Sequence, residues 1–431
     1  MHSFIDFKNF AMAELNLFAP VTVLIGKNGS GKTNVIEAVQ LLANLAHGRP
    51  LYEVADVGRG VGVCDVRGGL IGCARVGTDR FTLGFSGSVQ FSGSPQNFKY
   101  NLAIEVRPEP RVFAEFLRIG ERIIFVAELQ SPARGSLLRV TYDNFARGGN
   151  KPVIQMSTER SVLSRYVTAI EGGGGSGLER YAPAREAVSA IMRYLRSSFV
   201  FDPSPRSMRS YERVGQSVLA RDGANLSSVL YALQTGDEKQ RATLGRLLAL
   251  IKQLPEEPYE EFGFVVTSQG DVLFGMKVHG EERLMDARVL SDGTLRSLAV
   301  LTALETVPEG SRVVIEEFDN GVHPTRVGLL VNALWECGKR RRLNVLVTTH
   351  NPATLDSFTA EQLQSVVVCV VEPRGKQAKL LSLTSLPDVD LLLESGSLGN
   401  LITRRTLEKY LLPGFSDEKR KIAESWLEAL K

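Results

Sequence analysis

An α/β fold organised around a phosphate-binding loop is the fold class that this 431-residue sequence predicts. Three observations carry the prediction. A short apolar, β-branched run, Val21 to Ile25, leads directly into Gly26-Lys27-Asn28-Gly29-Ser30-Gly31-Lys32-Thr33, and apolar residues then recur at helical spacing from Asn34 to Ala46. Further along, strand-like and helix-like segments alternate: a helix from Gly293, a strand from Arg312 to Ile315, a helix from Pro324 and a strand from Leu343 to Val347. The apolar run Val313-Val314-Ile315 ends in two adjacent carboxylates, Glu316 and Glu317, the layout of a strand-end metal and water site.

The chain between these signals follows other periods. From Phe81 to Ile154 apolar and polar residues alternate between turn signals, which predicts an antiparallel sheet. Gly172 to Gly177 reads as a flexible joint, and helical spacing from Tyr181 to about Leu254 predicts an inserted helical lobe. Two strands follow, Phe262 to Thr267 and Val272 to Val278, joined by the turn Ser268-Gln269-Gly270-Asp271. There is no internal repeat and no sustained heptad pattern.

Bulk composition excludes several classes. The hydrophobic share of 43% with 23% charged residues is that of a globular protein, no apolar run is long enough to span a bilayer, and Met1-His2-Ser3-Phe4-Ile5-Asp6 lacks a signal-peptide layout, so a cytoplasmic location is expected. Cys64, Cys73, Cys337 and Cys369 are too scattered for a zinc pair or a disulfide framework. A net charge of +3 does not announce a nucleic-acid protein. The densest basic patch, Lys339-Arg340-Arg341-Arg342, closes a predicted helix, where cations complement the helix dipole.

The residues Gly26 to Thr33 match G-x-x-x-x-G-K-[ST], the Walker A pattern. Its glycines let backbone N–H groups converge on a β-phosphate, Lys32 reaches the β- and γ-phosphates, and the Thr33 hydroxyl suits Mg²⁺. Asn34 follows within the first helical turn and is counted with the nucleotide-binding set. Glu316 stands where an Asp usually supports the metal, so its extra methylene calls for a backbone shift or a bridging water. Glu317 is placed to orient or deprotonate the attacking water.

Other segments gain meaning from a resemblance. Leu290-Ser291-Asp292-Gly293-Thr294-Leu295-Arg296 resembles the ABC signature, Asp319-Asn320-Gly321-Val322-His323-Pro324 the D-loop, and Val347-Thr348-Thr349-His350-Asn351-Pro352 the switch that carries a histidine. With the opening Ile5-Asp6-Phe7-Lys8-Asn9-Phe10 and the run Arg221 to Leu226, they look like ABC-type ATPases of the RecF, OLD and SMC-like group, in particular compact stand-alone members found in bacterial phage-defence operons. The resemblance covers roughly residues 1 to 50 and 220 to 360. It implies a head-to-head homodimer around two ATP·Mg²⁺, with Ser291 and Gly293 acting on the other protomer's nucleotide, Asp319 at the seam and His350 at the γ-phosphate.

On that resemblance the chain divides into a first ATPase lobe with the antiparallel β subdomain (1–170), an inserted helical lobe (171–260), a second ATPase lobe with signature, Walker B, D-loop and switch (261–385), and a C-terminal helical extension (386–431). Departures narrow the group. The interval before the signature lacks the heptads of a long-armed SMC protein. Glu372-Pro373-Arg374 and Asp388-Val389-Asp390 lack the strands of a TOPRIM nuclease, so no intrinsic nuclease is expected. Gln130 and Gln155 are both candidates for a Q-loop glutamine, and neither is chosen. The favoured expectation is a nucleotide-gated sensor or scaffold in phage defence, a slow regulatory ATPase working with a separately encoded effector. A RecF-like DNA repair ATPase is the alternative, and it gains if the Lys339–Arg342 patch shares a face with Arg206, Arg209 and Arg213. A small-molecule phosphotransferase would leave the signature, D-loop and switch unexplained. DNA and a higher oligomer stay open, and no membrane partner is expected.

Overall fold

The structure is a computed structural model that describes residues 1–55, 66–130, 137–146, 148, 150–172, 178–253, 259–280, 283–372, 377–386, 389–394, 396–404 and 406–407. Cys64, Gly173 to Gly177 of the expected joint, Pro373, Arg374 and Asp388 lie outside the described residues.

The chain opens with the hairpin β1 (His2–Phe7) and β2 (Phe10–Leu15), then β3 (Val21–Ile25), helix α1 (Lys32–Ala46) and the short α2 (Leu51–Ala55). Six antiparallel strands follow: β4 (Arg80–Phe91), β5 (Ser94–Glu105), β6 (Arg111–Ile119), β7 (Arg122–Leu129), β8 (Leu137–Tyr142) and β9 (Val153–Ser157). The order β2-β1-β4-β5-β6-β7-β8-β9 makes one eight-stranded sheet among the described residues, so the predicted antiparallel region captures the opening hairpin as well.

After α3 (Tyr166–Gly172) and α4 (Ala182–Arg196) come β10 (Ser198–Phe201), β11 (Glu212–Arg213), α5 (Leu226–Thr235) and α6 (Glu238–Ile251). The pair β12 (Tyr259–Val266) and β13 (Asp271–Val278) forms a small antiparallel sheet with β11 and β14 (Leu284–Asp286). The last part runs α7 (Asp292–Thr306), β15 (Arg312–Ile315), α8 (Pro324–Arg340), β16 (Asn344–Thr348), α9 (Pro352–Asp356), α10 (Ala360–Leu363), β17 (Val366–Val371), β18 (Ala378–Ser382), α11 (Val389–Glu394) and α12 (Leu398–Thr403).

A six-stranded sheet, β10-β15-β16-β3-β17-β18, organises the nucleotide-binding half. Its first five strands are mutually parallel and β18 closes it antiparallel. β3 and β15 are buried at every position, as strands covered on both faces must be. Alternate residues serve two different layers. Leu24, Val314, Leu346 and Cys369 face a core shared with α1, α4 and the eight-stranded sheet, whereas Val23, Ile25, Val313, Ile315, Val345 and Val347 face a core shared with α5 to α8 and the small sheet. Each such Val, Leu or Ile contributes roughly 1.5 to 3 kcal/mol over exposure, so the central sheet is held rigidly from both sides.

The segment 171–260, expected as an inserted helical lobe, is helical over most of its described length but also supplies β10, the edge strand beside β15. Four residues, Ser-Phe-Val-Phe, are too few to stand out between two helices, and tertiary pairing decides them. Residues 182–196 pack in one core and 226–251 in the other, so the segment passes from one face of the sheet to the other around its edge.

Candidate nucleotide site

The C-terminal ends of β3, β16 and β15 lie side by side, and the three carry the phosphate loop, Thr348-Thr349-His350 and Glu316-Glu317 respectively. Parallel strand order therefore brings together motifs separated by some three hundred residues of chain. They border a cleft of about 320 Å³ lined by Asn28, Lys32, Thr33, Arg67, Glu316 and Glu317, together with Gly29, Gly31, Asn34 and Thr348.

Gly26 turns the chain out of β3 at φ +144, and a Cβ there would lie 2.4 Å from the carbonyl oxygen of Cys369 on β17. No other residue fits. Lys32 Nζ donates to the carbonyls of Gly26 (2.5 Å) and Lys27 (3.2 Å), bridging the loop it belongs to. Burial lowers the Lys32 pKa, opposed by Cys369, Glu317 and Glu316. Ser30 Oγ is buried without a hydrogen-bond partner beneath the same loop.

Thr33 Oγ1 donates to Glu316 Oε1 at 2.6 Å, so the longer glutamate side chain comes within reach of the loop's hydroxyl. A hydroxyl and a carboxylate are hard oxygen donors suited to Mg²⁺, which ordinarily takes one or two protein oxygens and completes its shell with phosphate and water. Among the described residues there is no group of three or more His, Cys, Asp or Glu able to hold a metal unaided. Glu317 sits at φ +45, an uncommon backbone for a non-glycine residue and one that clusters at functional sites. Its N–H donates to Thr348 Oγ1 (2.9 Å), and its carboxylate lies 3.4 Å from His350 Nδ1.

Asp319 is turned inward. It is 3% exposed and accepts from Thr349 Oγ1 (2.6 Å) and from Thr354 Oγ1, tying the D-loop to the end of β16 and to α9. Burial pushes its carboxyl up, against the two hydroxyls and His350, which favour the charged form. The loop's exposed residues are Asn320, Gly321 and His323. Ser291 caps α7, accepting from Thr294 N–H at 3.1 Å, and its neighbour Asp292 is exposed and paired with Arg209 (2.7 Å). A Cβ on Gly293 would lie 2.7 Å from the Gly321 carbonyl, so α7 starts hard against the D-loop. Neither Ser291 nor Gly293 lines the cleft that holds Lys32 and Thr33.

Sequence reading missed a network beside the phosphate loop. Glu37 of α1 is ion-paired with Lys8 and accepts from Arg67 Nε (2.8 Å), while Arg67 Nη2 donates to Asn34 Oδ1 (3.1 Å). Asn34 donates in turn to Asn9 Oδ1 (2.7 Å), and Asn9 to the Ser30 carbonyl (3.4 Å). Lys8 and Asn9 were visible in the opening hairpin, but Arg67 belongs to no pattern. Burial pushes the Glu37 carboxyl up, yet its bonds with Arg67 and Lys8 outweigh this and hold it below 4.5. A depressed carboxyl stabilises the fold above that value and loses its contribution as pH falls through the folded pKa. Glu37→Ala should therefore cost roughly 3 to 5 kcal/mol at neutral pH, because Lys8 and Arg67 both lose the buried carboxylate that pairs them and Lys8 keeps only the Arg67 carbonyl. In urea unfolding the gap from wild type should narrow in acid; equal midpoints at pH 7 would show that the network adds nothing.

Three residues of the Lys339–Arg342 patch have partners within the chain. Lys339 pairs with Glu361 (3.0 Å), Arg340 with the buried Glu305, and Arg341 donates to the Leu304 and Val307 carbonyls that end α7. Arg213 donates to the Gln269 carbonyl (2.7 Å). Gln130 follows β7 and Gln155 lies in the edge strand β9; neither lines the cleft.

Known proteins resemble this chain in sequence. Residues 21–129 and 193–356 match the family model described as "AAA domain, putative AbiEii toxin, Type IV TA system". The DNA replication and repair protein RecF of Gloeobacter violaceus is 28% identical over 330 residues, covering 65% of this chain and 86% of that protein. RecF of Renibacterium salmoninarum is 28% identical over 200 residues, covering 44% of this chain and 45% of that protein. Among solved structures, an SMC head bound to the C-winged helix domain of ScpA aligns with TM-score 0.46 and 11% identity, over 89% of this chain and 98% of that one. The chain belongs to this AAA-domain family, as an ABC-type ATPase similar to RecF.

Proposed function

We propose that the chain binds and hydrolyses ATP with Mg²⁺ in two composite sites formed head to head with a second copy, and uses nucleotide state as a signal to a separate effector in antiviral defence. One observation carries the composite site: Lys32, Thr33, Glu316 and Glu317 share a cleft that Ser291 and Gly293 do not line, while Ser291 is exposed at a helix start. A helix N-terminus is suited to an anion, and the nucleotide of a second copy supplies one.

In this reading the N–H groups of Gly29 to Lys32 cradle the β-phosphate and Lys32 exchanges its carbonyl partners for phosphate oxygens. Thr33 and Glu316 hold the metal, which supplies charge neutralisation at the β- and γ-phosphates. Glu317 orients and deprotonates the water. His350, 3.4 Å from Glu317, is placed to take a γ-phosphate contact in its stead. Asn28 and Asn34 line the cleft beside them.

The family description, which names a toxin of a toxin–antitoxin system, supports the defence role. Similarity along 86% of a RecF protein supports the DNA-repair alternative, whereas the partners of Lys339, Arg340 and Arg341 within the chain, Glu361, Glu305 and the carbonyls at the end of α7, weigh against the basic patch on which that reading leaned. Anisotropy with labelled duplex DNA at physiological salt separates the two, since tight ATP-dependent binding favours repair.

Glu317→Gln tests the catalytic assignment. It should bind ATP as wild type does, turn over roughly 10²- to 10⁴-fold more slowly, and accumulate as closed dimers on a sizing column with ATP. Wild-type turnover in this variant would move the base elsewhere, to Glu316 first.

A further inference from the structure

The phosphate loop has a second cleft on its switch side, about 340 Å³ in volume, where Lys27, Asn28 and His350 face Leu355 of α9 and Ile402 and Thr403 of α12. Nothing in phosphate binding requires α12 to be there. It is seated on α9 by two independent contacts. The Gly399 N–H donates to Asp356 Oδ1 at 2.6 Å, so a carboxylate at the end of α9 caps the first turn of α12. A Cβ on Gly399 would lie 2.3 Å from the Pro352 carbonyl oxygen and 2.7 Å from Asp356 Oδ1, so the two helices meet backbone to backbone.

α9 is also bound to the nucleotide machinery. It starts two residues after His350, and its Thr354 donates to the same Asp319 carboxylate that accepts from Thr349. One buried carboxylate and one five-residue helix therefore connect the D-loop, the switch histidine and α12. Such a short helix has little stability of its own and holds its place through its neighbours.

We propose that Asp356 and Gly399 are positioning residues of the nucleotide site: α12 docked on α9 fixes His350 and Asp319, and engagement of His350 and the D-loop by ATP tightens that docking. This rests on the composite-site reading above. Linkage makes the coupling reciprocal, so what loosens α12 must weaken the closed state that ATP favours.

The test uses the full chain. Hydrogen exchange in peptides spanning 398–407 should slow by about tenfold with ATP relative to ADP in the Glu317→Gln background. In the otherwise wild-type chain, Gly399→Ala and Asp356→Ala should each lower kcat by about tenfold and weaken ATP by up to about the same factor, while the Kd of ADP, which does not tighten the docking, stays within about twofold of wild type by calorimetry. Asp356→Asn retains an acceptor oxygen and should recover most of the loss, which a merely structural role of the charge would not predict. Unchanged exchange with ATP bound, or unchanged kcat in Gly399→Ala, overturns the coupling. Failure of the composite-site reading shows separately, as absent ATP binding or dimer formation in the unmodified chain.

Discussion

Lys32→Ala should lower ATP affinity by roughly 10²- to 10⁴-fold, to the point where calorimetry at micromolar protein detects no binding. The side chain is the one cation of the Gly26–Thr33 loop within reach of both phosphates, and two hydrogen bonds to charged oxygens are worth roughly 3 to 6 kcal/mol, with 1.4 kcal/mol per decade. Stability should hardly change. Burial already disfavours the ammonium in the structure, and among the described residues it donates to two carbonyls of its own loop, Gly26 and Lys27. The alanine variant should unfold within about 1 kcal/mol of wild type, so lost binding reads as lost contact and not as a lost fold. Near-normal ATP affinity would sink the phosphate-loop assignment.

Ser291→Arg should block hydrolysis while each phosphate loop still binds ATP. The change removes the Ser291 cap on Thr294 N–H, a loss of about 1 kcal/mol against total stabilities of roughly 5 to 15, so the fold survives. Its effect on turnover comes from placing a bulky cation on the exposed start of α7, where the second copy's γ-phosphate must close. Mixing it with Lys32→Ala gives a sharper readout. A heterodimer joins the good loop of one chain to the good signature of the other, restoring one of its two sites. If subunits exchange freely and sites act independently, an equal mixture of two inactive proteins should regain about a quarter of wild-type ATPase. Full activity of Ser291→Arg alone would reduce Leu290 to Arg296 to a helix cap.

Much of the site was legible because its chemistry is local. Gly26 to Thr33 must be glycine-rich to expose N–H groups, and the apolar run before Glu316 and Glu317 must be a buried strand to hold two acids at its end. Arg67 was not legible. It reaches the loop through Glu37 and Asn34, three contacts that depend on where a distant turn is packed. The basic run at 339–342 closes α8 as its position predicts, but its partners Glu305, Glu361 and the end of α7 are distant in sequence and were not legible.

The sequence by itself determined the α/β alternation, the antiparallel region and the residues expected to meet phosphate and metal, because these follow from short-range pattern and from the chemistry each motif needs. Only the tertiary structure decided what depends on packing across long separations. It drew the opening hairpin into the eight-stranded sheet and put Ser198–Phe201 at the edge of the parallel one, since short strands take their identity from the partner they pair with. It turned Asp319 inward, because two threonine hydroxyls on the neighbouring strand and helix satisfy a carboxylate there. And it set α12 against α9, since Gly399 matters only where another backbone comes within 3 Å of a Cβ placed there.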